Sequence, residues 1–187
     1  MMASSANSGV YGTRVIIQEL DAGIPDSIEE AQRALATSDV SPPVTDQERS
    51  DFVEAHNDAR GAVGVAPLQW DDKHEEEAGK AVNLYFPQAC LINSAGGESY
   101  GENIFCGIDS ATPPQWTPRS AVNDWVLEKG KYDYNSNSCN PPGSVCDHYK
   151  QVVNKNTTKL GCAIARQASK MLVVCKYTKK ATADRPY

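Results

Sequence analysis

An α+β fold, with helices flanking an antiparallel central sheet and disulfides stapling its loops, is what three features of this 187-residue chain predict. Capped amphipathic segments in the middle of the chain read as helices. Two β-rich runs joined by a tight connection close it and read as a hairpin, so helices and an antiparallel sheet share one unit. Six cysteines, at positions 90, 106, 139, 146, 162 and 175, all fall in the last 98 residues. An even set in a loop-rich region reads as a disulfide framework and implies an oxidising compartment. A structural zinc site wants closer pairs than the seven-residue step from Cys139 to Cys146.

Composition narrows the function classes. Hydrophobic residues make up 40% of the chain, enough for one core and too many for a disordered chain. The longest apolar run, Met171 to Cys175, is far short of the ~20 residues of a membrane-spanning helix. A net charge of −6 argues against nucleic acid as the main partner. Charge is unevenly placed, with nine Lys/Arg and one acid from Tyr149 to Tyr187, which gives the molecule a polar field.

Each element has its own signal. Residues 1–44 read as an extension, largely disordered, with one short helix after the capping box Ser27-Ile-Glu-Glu30. Residues 1–40 hold no apolar stretch of the signal-peptide kind, at odds with the compartment the cysteines imply. The domain is placed at 45–177, with 178–187 as a tail. Thr45-Asp-Gln-Glu48 is a second capping box, and Phe52, Val53, Ala55, His56, Ala59 and Val63 follow on one helical face until Gly61 and Gly64 end it. Ala66 to Trp70 is an extended connector. The acids of Asp71 to Glu77 suit the positive end of a helix that continues to Tyr85. Ser94 to Gly107 is glycine-rich. Thr117-Pro118 caps a helix that buries Ala121, Val122, Trp125 and Val126. Asp133 to Pro142 is turn-forming. His148–Val153, Leu160–Arg166 and Met171–Tyr177 read as strands, with 167–170 as the hairpin connection.

Few residues carry obvious chemistry. Of three histidines, His56 reads as a hydrogen-bonded core residue, His74 as exposed among acids, and His148 as the one placed to enter a cleft. Glu102 and Glu128 are the notable acids, yet by composition they are ordinary surface carboxylates. H-E-x-x-H and phosphate-loop motifs are absent from the sequence.

Seven blocks occur in order: Ala55-His-Asn-Asp-Ala-Arg60, Val63-Gly-Val-Ala-Pro-Leu-Gln-Trp70, Tyr100-Gly-Glu-Asn-Ile-Phe105, Trp125-Val-Leu-Glu-Lys129, Tyr132-Asp-Tyr-Asn-Ser-Asn-Ser-Cys139, Val145-Cys-Asp-His-Tyr-Lys-Gln-Val-Val153 and Leu160-Gly-Cys-Ala163. Together they resemble the CAP superfamily, most closely its plant pathogenesis-related protein 1 branch, over residues 48–177. The resemblance implies an α-β-α sandwich and an extracellular, apoplastic defence protein. It implies a monomer without enzymatic activity that binds a sterol or other lipid. The alternative is a hydrolase using Glu102 or Glu128 with His148 as acid and base.

The family cleft holds two histidines, two glutamates and often a divalent metal. The resemblance carries those roles onto Glu102, Glu128 and His148, expected to converge within a few Å. Asn93 stands where the second histidine would fall, so a Zn²⁺ or Mg²⁺ site is expected to be weakened. The resemblance also implies disulfides Cys162–Cys175 and Cys139–Cys146. Cys90 lacks its family partner, which is Gln167 here, and Cys106 is extra, so either the two pair anew or both remain thiols, the second being slightly favoured. The C-terminal segment has lost most of the family's tail pattern and keeps only Pro186-Tyr187, which makes peptide release doubtful.

Overall fold

The computed structural model describes residues 42–88, 100–108, 116–167 and 169–187. The chain divides into Met1–Ser38 and Asp39–Tyr187, and every described residue lies in the second unit. The first helix expected, after Ser27, lies outside the described residues.

Helix α1 (Asp46–Gly61) starts at Thr45, whose side chain accepts from the Glu48 amide while the Glu48 carboxylate accepts from the Thr45 amide. Both halves of the expected capping box are present. The turn after it uses Gly64, whose φ of 72° favours glycine. Strand β1 (Gln69–Trp70) leads to α2 (Asp72–Tyr85), capped by the Asp71 carboxylate. A 3₁₀ turn, Phe86–Gln88, follows. Strand β2 (Gly101–Ile108), helix α3 (Pro118–Leu127) and a 3₁₀ turn (Glu128–Lys131) come next. The small hairpin β3 (Tyr132–Asp133) and β4 (Ser138–Cys139), helix α4 (Asp147–Val152), and strands β5 (Lys159–Gln167) and β6 (Lys170–Tyr177) complete the order.

The main sheet runs β1-β5-β6-β2. Three strands are antiparallel as expected, but β1 joins β5 in parallel, so the sheet is mixed. That connector was expected to be extended, and its pairing partner was not legible from five residues.

Side-chain alternation along the strands makes the sandwich. Phe105, Cys162, Ile164, Met171, Val173, Cys175 and Tyr177 face one cluster with Phe52 of α1, Trp125 of α3 and Val152 of α4. Ala163, Ala165, Leu172 and Val174 face the other, with Ala78, Val82 and Tyr85 of α2. Because both faces are covered, β5 and β6 are almost continuously buried. Val44 is 6% exposed and belongs to the larger cluster, so the core begins one residue before the boundary drawn at Thr45.

Two disulfides match the expectation. Cys162–Cys175 joins directly paired residues of β5 and β6, and Cys139–Cys146 closes the loop before α4. Of the two alternatives left for Cys90 and Cys106, the favoured one, free thiols, is overturned, since Cys106 is disulfide-bonded. Its side chain leaves β2 on the α2 face and packs against the cluster of Tyr85 and Phe86, so it is not a stray surface thiol. Cys90 lies outside the described residues.

Candidate functional site

Glu128 and His148 meet at the end of α3. Helix α3 buries Trp125, whose indole N–H donates to the Ile104 carbonyl at 3.2 Å, and the turn after it presents Glu128. Segment 148–153 was expected as a strand, and helix α4 (Asp147–Val152) stands there instead. Two adjacent valines, Val152-Val153, gave the strand signal. The Glu128 carboxylate overrides it, because Oε2 accepts the backbone amides of His148 and Tyr149 at 3.0 and 3.2 Å. Those are amides a helix start leaves unpaired, and Cys146 at the N-cap supplies no side-chain bond.

The other oxygen, Oε1, accepts from His148 Nδ1 at 2.6 Å. A carboxylate only accepts, so the proton sits on Nδ1 and Nε2 faces outward with its lone pair. Trp125 lies against the imidazole, with ring centroids 6.5 Å apart at 24°. Asn103 holds the His148 carbonyl from β2 at 3.1 Å. Glu128 is 15% exposed and His148 35%, so the carboxylate is half-buried and the ring reaches solvent. Exposed Leu127 and Val145 flank the pair in sequence.

Glu102 does not join them. It pairs across the strands with Lys176. Its Oε2 lies 2.8 Å from Lys176 Nζ, with side chains only 9% and 8% exposed. Neighbouring Asn103 points to the His148 side of β2, so alternation turns Glu102 to the α2 face. The expected convergence of Glu102, Glu128 and His148 is therefore corrected to a pair, with Asn93 outside the described residues. Among the described residues no three His, Cys, Asp or Glu side chains cluster as metal ligands. The donors do not fit a zinc site. Glu128 is spent on α4 and on the imidazole, Glu102 faces an ammonium, and His148 Nε2 is what remains.

Three residues escaped the sequence reading. His74, expected exposed, is 8% exposed; its Nδ1 donates to Asp71 at 2.7 Å and its ring meets Tyr100 edge-on. Bonds from Lys159 and His74 hold the Asp71 carboxyl far below the usual carboxylate range. Arg60 is 1% exposed and donates to four carbonyls, those of Ala66, Val152, Asn154 and Thr157, at 2.7 to 3.0 Å. Burial lowers its pKa to about 10. Lys176 is the third. Each long cation looked like surface in the sequence, since pairing that justifies burial comes from segments far along the chain.

A separate cavity of about 500 Å³ opens between the start of α1, α2 and β5. Pro42, Pro43, Val44, Gly79 and Ala163 supply apolar wall, and Arg49, Glu75 and Lys80 are among the polar residues lining it. Gly79 sits in the interior of α2, where glycine costs ~1 kcal/mol against alanine, and nothing lies within 4 Å of where a Cβ would stand.

The comparisons agree on the kind of molecule. The model of the cysteine-rich secretory protein family, CAP, matches residues 53–177. The chain is 42% identical to pathogenesis-related protein 1A1 of Solanum lycopersicum over 130 residues, covering 69% of this chain and 70% of that one. It is 36% identical to pathogenesis-related protein 1 of Arabidopsis thaliana over 157 residues, covering 82% and 91%. Among solved structures, venom allergen-like protein 4 of Schistosoma mansoni superposes with a TM-score of 0.62 at 22% identity, covering 77% of this chain and 95% of that one. At that identity the likeness speaks for the fold alone.

Proposed function

This chain belongs to the CAP family, in its plant pathogenesis-related protein 1 branch, and from that premise we propose that it is a secreted, monomeric, non-enzymatic defence protein that binds a small ligand of the sterol or lipid class. The family is defence-related, and two disulfides suit an oxidising, extracellular setting.

One observation carries the binding reading, namely the cavity at Gly79. Its volume of about 500 Å³ lies within the ~300–1,000 Å³ of small-molecule sites. Its lining joins apolar surface to five charged side chains, which matches an amphipathic ligand. Replacing Gly79 by leucine fills that space and suits the helix, so the fold is kept. Uptake of a radiolabelled sterol and of a fluorescent fatty acid by the Gly79→Leu variant is expected to fall by about 10-fold or more, with the melting temperature equal or higher. Undiminished uptake of both probes would reject this cavity as the site.

The Glu128–His148 pair favours a second reading, a hydrolase. A carboxylate on Nδ1 and an outward Nε2 is the arrangement of a general base. Yet among the described residues no hydroxyl or thiol is hydrogen-bonded to Nε2, and Glu128 already caps α4. A turnover panel of esters, peptides and phosphoesters separates the readings. Any activity lost in His148→Ala would favour the hydrolase.

A further inference from the structure

Residues 178–187 fold back onto the body and end in a cluster of four tyrosines. The Tyr187 ring stacks on Tyr134, with centroids 5.0 Å apart and planes at 21°. It meets Tyr132 at 6.2 Å and Tyr149 at 6.4 Å, both nearly edge-on, and Tyr132 touches Tyr134 and Tyr149 in turn. The segment is held as well as packed. Tyr134 Oη donates to the Tyr187 carbonyl at 3.1 Å, Lys155 N donates to the Pro186 carbonyl at 2.7 Å, and the Arg185 guanidinium binds the carbonyls of Tyr134 and Asn135. Tyr132 Oη donates to Asn137 Oδ1 at 2.7 Å, so hydroxyls as well as rings hold the cluster together.

We propose that Tyr134 and Tyr187 form an oxidative cross-linking site, joined as a dityrosine by a peroxidase-class oxidant with hydrogen peroxide as the electron acceptor. Each phenol gives up one electron to the oxidant and its phenolic proton to water, leaving a phenoxyl radical. The two radicals couple through a new carbon–carbon bond between ring positions ortho to the oxygens. The hydrogen on each coupled carbon then returns, through solvent, to its own oxygen. The pair loses two electrons and two protons, and peroxide takes them up to give two waters.

The geometry selects this pair. Nearly parallel rings 5.0 Å apart bring ortho carbons together by a small slide, whereas Tyr149 stands at 76° to Tyr187. Tyr134 is 41% exposed, so the oxidant and the proton acceptor reach it, while Tyr149 is 1% exposed. Burial raises the phenol pKa of Tyr149 and Tyr132, which disfavours proton loss at the inner members and leaves the radical to the outer ones. Contact among all four lets an electron vacancy formed on any of them reach Tyr134 or Tyr187.

The test treats the full chain with horseradish peroxidase and hydrogen peroxide, with N-acetyltyrosine in a parallel tube to show that the oxidant is active. The expected product is a monomer lighter by two hydrogen atoms, with dityrosine fluorescence. Its peptide map should link the Tyr134 and Tyr187 peptides. Tyr134→Phe and Tyr187→Phe keep the packing and should each abolish that product. Absence of intramolecular product while N-acetyltyrosine couples, a link mapped to Tyr149 or Tyr132, mainly covalent dimers, or a product surviving in either variant would each overturn the proposal.

Discussion

His56 is fully buried and its protonation is dictated by its partners. Nδ1 lies 2.7 Å from the Phe52 carbonyl, which only accepts, so Nδ1 carries the proton and Nε2 accepts from Tyr177 Oη at 2.9 Å. Desolvation drops its pKa to about 4. The unfolded chain keeps the ordinary value near 6.5 and so takes up a proton first as pH falls. This contribution is complete above pH ~6.5 and is lost as pH falls towards the folded pKa, a change of ~3 kcal/mol. Urea denaturation between about pH 7 and pH 4.5 should show that slope, and His56→Gln should flatten it; an unchanged slope in the variant would remove His56 as its source. Lys176 gives a second residue-level test. Cutting it to methionine strands the Glu102 carboxylate in the core at a cost of ~3–5 kcal/mol, and adding Glu102→Gln should recover much of that. Chemical denaturation of the two variants measures both steps. His56 was legible because a helical face declared it inward, whereas the Lys176–Glu102 pair depends on a strand register that links residues far apart.

Elements with a local cause were readable, and those with a distant one were not. Thr45, Asp71 and Thr117 each cap their own helix through bonds three residues away, so the helix starts stood in the sequence. Helix α4 is only six residues long and begins on the Glu128 carboxylate, twenty residues earlier in the chain, which is why 148–153 resembled a strand. Strand β2 was hidden by its glycines. Gly101 admits the Gln151 side chain and Gly107 the Trp116 indole, so these positions serve packing rather than strand propensity. Gly161 on β5 shows the same demand from a helix. A Cβ there would collide with backbone atoms of Asp71, His74 and Glu75, so α2 lies directly on the strand. Gly161→Ala should cost several kcal/mol, on the order of ~3, as α2 is pushed off the sheet. Thermal melting of that variant beside Gly79→Leu, a glycine of α2 itself that faces open space, separates clash from mere loss of glycine. Equal melting points would contradict the close approach.

The body that the described residues form is a sandwich tied together by residues that looked dispensable. The seven motifs placed the fold, yet the last of them ends at Ala163 and the resemblance at Tyr177, and the segment after it was read as a tail. Gln151, 3% exposed, spends its amide on this segment, donating to the Lys179 carbonyl at 2.8 Å and accepting from the Ala181 amide at 2.7 Å. Thr157 Oγ1 donates to the same carbonyl at 2.9 Å, and Asn137 reaches the Ala183 carbonyl. The same turn, 152–157, supplies three of the carbonyls that hold Arg60, so the segment, α4 and α1 form one polar network. Removing 178–187 would therefore take from Gln151 and Thr157 the partners that the segment supplies, leaving them only the long bond to each other, at ~1–3 kcal/mol each, and strip the Tyr187 ring from its seat. At ~2–4 °C per kcal/mol for a body of this size, truncation after Tyr177 should lower the melting temperature by ~10 °C or more. Tyr187→Ala alone should account for the smaller share, because it leaves Gln151 and Thr157 satisfied. If the truncated chain melts where the full chain does, the segment is an ornament on a self-sufficient domain, and the network through Gln151 does not support α4.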